Sequence, residues 1–340
     1  MTAHFGLDIG SYSIKAVQVE KKETQYRLVG LGEARTPASL ASESEKDKRA
    51  IAETIRKITK EAGIRKKEAA LSLAESAVYS RVINLPYLSE KELASAIKFE
   101  AEQYIPIPLK EVQLEYLVLS EAGGGQGGAG QAMEILLVAA QKKAIDKLVV
   151  LVEMAGLIPV ILETEILSLI RVVNLGLSDN CLVLDIGNQS TTIAILENKN
   201  LKFVRSLRTS GEAFSRAVSQ ELNMDFFQAE KYKHAYGLNS SALEGRVAKA
   251  IAPIFEPILN EVKKSLNFFS QRPGGGQIRT IVLSGGSALM ASLSTYLAQA
   301  LNLQVLVLNP FSFFIQEGRL KELQGTTRFS TAVGLAIRED

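Results

Sequence analysis

The sequence predicts an α/β chain made by duplication, with two related lobes and a small α/β subdomain inserted between strands of the first. Two observations carry this. The segment FGLDIGSYSIKAV at residues 5–17 returns as LVLDIGNQSTTIAI at residues 182–195, so Asp8 is repeated by Asp185, 177 positions later. Each copy is an apolar strand ending in Asp-Ile-Gly, a turn of small polar residues and a second strand of β-branched residues, which is the pattern of a hairpin. Between the copies lies a segment with its own succession of strand and helix signals. The expected division is residues 1–76 for the first lobe, 77–155 for the insertion and 156–340 for the second lobe. The connection at 156–180 and a C-terminal helix are expected to return to the first lobe.

Taken in order, residues 5–9, 14–19 and 26–33 read as a three-strand meander, with the charged stretch 20–23 as a turn. A helix follows: Ser44 and Asp47 have capping-box spacing, Ile51, Ile55, Ile58 and Ala62 share a face, and Gly63 closes it. Residues 69–73 return as a strand. The insertion opens with a strand at 78–85. Its helix starts at Ser89, with Glu92 as box partner, and stops before the rigid Ile-Pro-Ile-Pro of 105–108. Strands at 112–119 and 133–140 flank the glycine-rich run 123–130. That run lacks the context of a P-loop and reads as a mobile hairpin tip. A helix at 142–155, a strand at 157–162 and a helix at 166–173 lead to the second copy. There, 201–207 extends the hairpin and helices follow at 211–222 and 225–236. The amphipathic stretch 243–271 carries Pro253 and Pro257, so a kink or break is expected. A strand at 278–283 runs into Ser284, Gly285, Gly286 and Ser287, and a short helix closes the chain at 329–337.

Composition narrows the function classes. With 39 basic and 37 acidic residues, a net charge of +2 gives no electrostatic reason to expect a nucleic-acid partner. The single cysteine, Cys181, has no intrachain disulfide partner, which fits a reducing compartment, and two histidines do not supply a zinc site. The start lacks a signal-peptide layout, and no apolar run approaches the ~20 residues of a spanning helix. A cytoplasmic protein that reaches a membrane only through a partner is expected.

The repeated turns carry the chemistry. Glycine at positions 10 and 187 lets backbone N–H groups approach an anion with no Cβ in the way. A carboxylate at a strand end does not face phosphate oxygens alone, so Asp8 and Asp185 imply a divalent cation between them and a phosphate chain. The glycine pair 285–286, between a strand and a helix, makes a flat ligand face.

In order, these elements resemble the actin-like ATPase superfamily, whose fold is ribonuclease H-like. Within it, the segment FEAEQYIPIP at 99–108 and the position of the insertion make the chain similar to the PilM family of type IV pilus assembly proteins. The resemblance implies ATP and Mg²⁺ as cofactors, with Asp8 and Asp185 as metal-side carboxylates. Gly10, Ser11, Tyr12, Ser13 and Lys15 would form the first phosphate loop, and Gly187, Asn188, Gln189 and Ser190 the second. Gly211, Glu230 and Lys233 would lie beside the ribose, and Gly285, Gly286 and Ser287 beside the adenosine. Ser210 stands where relatives often have a second glycine. Where actin uses a glutamine to orient water, this chain offers Glu163 and Glu165, which either serve that role or cap the helix after them. Turnover is expected to be slow or partner-dependent.

By the same resemblance, the SHS2-like insertion would hold the cytoplasmic N-terminal peptide of the inner-membrane protein PilN, with Ile97, Tyr104, Ile105 and Ile107 as contacts, alongside other inner-membrane pilus components. Alternatives are a cell-division protein like FtsA and an actin-fold small-molecule kinase. Against these, FtsA relatives end in an amphipathic membrane helix, secretion proteins of the GspL type continue into a transmembrane segment, and a kinase needs chain for a substrate pocket.

Overall fold

The computed structural model describes residues 3–23, 25–121, 132–177, 179–272, 276–316, 320 and 326–339, so the glycine-rich run 123–130 lies outside the described residues. The chain opens with the meander β1 (Phe5–Ile9), β2 (Ser13–Lys22) and β3 (Gln25–Arg35), then α1 (Glu45–Glu61) and β4 (Glu68–Leu73). The insertion follows as β5 (Val78–Pro86), α2 (Glu90–Tyr104), β6 (Val112–Glu121), β7 (Ala132–Gln141) and α3 (Lys142–Met154). Then β8 (Ile158–Thr164) and α4 (Glu165–Gly176) lead to the second hairpin, β9 (Cys181–Ile186) and β10 (Thr191–Glu197), with β11 (Asn200–Leu207). Three helices, α5 (Gly211–Leu222), α6 (Phe226–Tyr236) and α7 (Arg246–Ser270), precede β12 (Thr280–Ser284), α8 (Leu293–Leu301), β13 (Gln304–Val307) and α9 (Ser330–Ala336).

The duplication is visible in topology. One sheet runs β3-β2-β1-β4-β8 and the other β11-β10-β9-β12-β13, and both join an antiparallel meander to parallel strands. The carboxyl ends of β1, β4 and β8, and of β9 and β12, are where an open parallel sheet places ligands. A third sheet, β5-β7-β6, is antiparallel. One face carries Ile83, Ile135 and Leu137 against Leu93, Ile97 and Ala101 of α2. The other carries Leu136 into the cluster formed by Ile166, Leu169 and Val173 of α4 with Val183 and Ala194.

Two helices cross between the lobes. Leaving β8 of the first sheet, α4 packs on the second, while α9, from the second half, closes over the first sheet through Ala332, Val333 and Ala336 against Val17 and Val19. Glycine permits the approach: a Cβ on Gly334 would lie 2.0 Å from the Ser168 carbonyl oxygen, and one on Gly6 would lie 2.1 Å from that of Ala332.

Two local expectations need correction. Ser44 is the N-cap residue of α1 but makes no side-chain capping bond, because Asp47 accepts instead from Ser42 Oγ. The helix α7 is unbroken despite Pro253 and Pro257. Both prolines are exposed and lie four residues apart on one face, so the carbonyls they leave unbonded face water while Ile251, Phe255, Ile258 and Val262 hold the buried face.

Candidate functional site

The two hairpin turns have the same internal geometry. Gly10 N donates to Ser13 O at 3.2 Å and Gly187 N to Ser190 O at 2.9 Å, positions again related by 177. The turns meet: Asn188 Nδ2 donates to Ser11 Oγ at 3.0 Å, a bond between equivalent residues of the two copies. Between them opens a cavity of about 800 Å³, lined by Asp8, Gly10, Ser11, Tyr12, Ser13 and Lys15 from the first lobe. The second lobe supplies Asp185, Gly187, Asn188, Gln189, Ser190, Glu230, Lys233, Gly285, Gly286 and Ser287. Gly211 sits just behind this wall, where an added Cβ would come within 2.5 Å of Ser287 Oγ.

The copies differ at one position with electrostatic consequences. In the first hairpin Asp8 pairs across the ladder with Lys15, whose Nζ donates to Asp8 Oδ2 at 2.9 Å. In the second, Asp185 faces Thr192, which carries no charge. Burial and the nearby Asp8 carboxylate push Asp185 up to about 6, with Lys15 acting in the opposite sense. One aspartate of the pair is thus ion-paired with its own strand partner, and the other has no charged partner across the ladder.

Farther along the second-lobe wall, Lys233 is 2% exposed and donates to both oxygens of Glu230, at 2.8 and 2.7 Å, and to Gly211 O at 3.3 Å. Burial raises the Glu230 carboxyl, but His234, Lys233 and Ser215 outweigh it and hold the group down at about 2. Desolvation lowers Lys233 against the pull of Glu230. At the mouth of the cleft, the Arg35 guanidinium lies 3.7 Å from the Phe227 ring centre and 5.8 Å from that of Tyr12, linking the first lobe to α6.

Glu163 does not belong to this wall. Its carboxylate is 2.8 Å from Arg171 and 2.7 Å from Arg338, facing a different cavity, so its role is to tie α4 to the chain beyond α9. Glu165, two residues on, does line the cleft. The structure adds a residue that sequence reasoning passed over. Glu75, 3% exposed at the end of β4, accepts from Ile166 N at 3.1 Å, while Glu165 Oε2 accepts from Glu75 N at 3.2 Å. The two carboxylates thus cap each other's segments. Burial, above the influence of Asp185, pushes Glu75 up to about 7, and burial with Asp8, Glu75 and Asp185 holds Glu165 well above the usual carboxylate range. The available signal was an acid just past a parallel strand whose end lies beside that of β1.

Of the candidate partner contacts, Ile97 and Ile105 are 3% and 8% exposed and belong to the core between α2 and the small sheet. Ile107 packs partly against that core, and Tyr104 lies under Arg81, 3.8 Å from ring centre to guanidinium. The apolar pattern of this helix serves its own sheet first. Apolar side chains are exposed on α2 at Phe99 (65%) and Tyr104 (40%) and on β6 at Tyr116 (39%) and Leu117 (48%).

Two sheets of identical strand order, facing turns and a cleft at the strand ends define a two-lobed protein with the actin-like ATPase fold. Residues 6–340 match the family described as type IV pilus assembly protein PilM, and the chain belongs to that family. Its structure is similar to the solved PilM-PilN type IV pilus biogenesis complex, with a TM-score of 0.85, 29% identity and coverage of 99% of this chain and 98% of that one. The cell division protein FtsA of Enterococcus hirae is 26% identical over 331 residues, 84% of this chain and 73% of its own. MreB5 of Spiroplasma citri bound to AMPPNP shares the fold at a TM-score of 0.54 and 14% identity, over 98% of this chain and 95% of that one.

Proposed function

We propose that this pilus-assembly protein is an ATP-binding scaffold that holds the N-terminal cytoplasmic peptide of a PilN-type inner-membrane protein. The bond between Ser11 and Asn188 carries the nucleotide half of this reading, because it brings two glycine turns together around one cavity. The residues fit the implied ligands. A Cβ on Gly10 would meet Ser13 O at 2.9 Å, and Gly285 has φ +87, so both turns are built for glycine, and both glycines line the cleft. Among the described residues, no three side chains of His, Cys, Asp or Glu form a ready metal group. Asp8 and Asp185 would therefore share Mg²⁺ with phosphate oxygens and water, as suits that ion. The ion would supply charge neutralisation at the phosphates. Lys15 and the turn amides bind and orient the anion, Lys233 and Glu230 stand beside the sugar, and Glu165, fixed by the Glu75 amide, is the carboxylate placed to orient water.

The peptide is assigned to the groove of about 890 Å³ between β6 and α4, where Leu73, Tyr116, Leu117, Leu162 and Leu167 present apolar surface beside Arg171 and Arg338. Among the described residues β6 is an outer strand of the small sheet with one edge not paired, suited to an added extended chain. Among the described residues no helix is long and apolar enough to cross a membrane, and association through a membrane-anchored partner supplies that link. The test is ATP binding with and without Mg²⁺ for the wild type and Asp8→Ala, repeated with a PilN N-terminal peptide and with Leu117→Asp. Loss of metal-dependent affinity in Asp8→Ala and loss of peptide binding in Leu117→Asp are expected. Unchanged ATP affinity and metal dependence in Asp8→Ala sinks the cleft assignment, and unchanged peptide affinity in Leu117→Asp sinks the groove.

A further inference from the structure

We propose that a second groove, on the opposite side of the small sheet and walled by the second lobe, docks an acidic peptide segment of another protein. The cavity measures about 1000 Å³ and lies between β5 and the β11–α7 surface. Its lining carries Arg81, Lys202, Arg205, Arg208, Lys264 and Arg272 against two acids, Glu75 and Glu261, although the whole chain holds 39 basic and 37 acidic residues. The positive charge is therefore concentrated here and is not a property of the whole surface.

The pairing inside the groove shows what it lacks. Glu134 of β7 takes both Lys202 and Arg272, and Glu261 takes Arg205 at 3.0 Å, so carboxylates already bridge this seam wherever the chain provides them. Arg81 is stacked on Tyr104. Among the described residues Arg208 and Lys264 have no carboxylate partner, and both are exposed. Between the cations the wall is aromatic: Phe268, 56% exposed, stands 5.7 Å from Phe203. Arginine and aromatic side chains in one concave site are the composition of binding hot spots.

Among the described residues β5 is hydrogen-bonded to β7 and β11 to β10, and β5 and β11 lie close beside one another along the groove. Lys264 and Phe268 lie four residues apart on α7 and both line the groove, so a peptide carrying acidic and apolar side chains together would meet a cation and a ring on the same wall. The net charge of +2 gives no electrostatic reason to prefer a nucleic acid as the occupant. Ser190 of the second turn lines both this groove and the nucleotide cleft, and Tyr104 and Ile105, expected at the PilN contact, line this groove, but the two cations on which the proposal rests, Arg208 and Lys264, line neither the cleft nor the groove beside β6.

The probe is a short fluorescein-labelled peptide alternating glutamate with phenylalanine and valine, followed by anisotropy. The same peptide with glutamine for glutamate, labelled oligothymidylate and phosphatidylserine vesicles form the other arms. The acidic peptide is expected to bind the wild type. Binding should weaken by about tenfold or more in the double variant Arg208→Glu, Lys264→Glu, and should weaken with salt across one Debye-length change. Both sites are exposed, so an unchanged melting curve confirms the fold of the variant, and Phe268→Ser tests the apolar wall separately. The proposal is overturned if the acidic peptide does not bind, if the glutamine peptide binds equally, or if the double variant keeps full affinity. Binding of oligothymidylate or vesicles, but not peptide, through the same two cations also overturns it.

Discussion

Replacing Glu75 by glutamine should stabilise the protein above neutral pH and leave it unchanged in acid. Glu75 is buried, and its carboxyl moves from an ordinary 4.5 to about 7 in the fold. A carboxyl raised in the folded state holds its proton there while the unfolded chain has released it, so stability falls as pH rises from 4.5 to 7. At about 1.4 kcal/mol per pH unit, the buried charge costs about 3 kcal/mol above pH 7. Glutamine retains a carbonyl to accept from Ile166 N but carries no charge to desolvate. Urea denaturation of the nucleotide-free, metal-free protein from pH 4 to pH 8 measures the effect. The variant should match the wild type near pH 4 and exceed it by about 3 kcal/mol at pH 8. A residual slope from Asp185, raised to about 6, and from Glu165, also raised, should remain in both. A variant that equals the wild type at pH 8, or differs by a constant at every pH, refutes the reasoning.

Truncating Lys233 to alanine strands the Glu230 charge in a buried site, and a loss of about 3–5 kcal/mol is expected by denaturation. Changing the pair together, Lys233→Met with Glu230→Gln, should recover most of that loss; failure to recover shows that the lysine packs rather than neutralises. Gly334→Ala drives a Cβ into the Ser168 carbonyl and should lower stability by about 2–4 kcal/mol, read as a reduced melting temperature, whereas Gly176→Ala, with nothing within 4 Å, should be nearly silent.

What the sequence revealed follows from range. The hairpins, the spacing of 177 and the place of Lys15 opposite Asp8 are encoded within a dozen residues each, and the structure has the same elements. The capping box at Ser89 and Glu92 forms, with Ser89 N donating to Glu92 Oε2 at 2.9 Å, because no neighbour competes. At Ser44 a hydroxyl two residues earlier claims the aspartate. Glu163 and Glu165 could not be separated from sequence: one ends a strand and the other begins a helix, so they point apart, and the boundary depends on β8 pairing with β4. Glu75 escaped notice because its partners are 90 and 91 residues away. Ile97 and Ile105 read equally as partner surface or as core until the small sheet shows which side they face.

The crossing of α4 and α9 has a consequence for biosynthesis. Val17 and Val19 are covered by Ala332, Val333 and Ala336, more than three hundred positions later, in a cluster that also takes in Val172, Phe311, Phe314 and Phe329. A nascent chain that has exposed the entire first hairpin to solvent still cannot finish its hydrophobic interior until the last helix has left the ribosome. The half made first is therefore sealed last, and fragments ending before residue 330 should emerge with that sheet uncovered, as clients for chaperones or proteases.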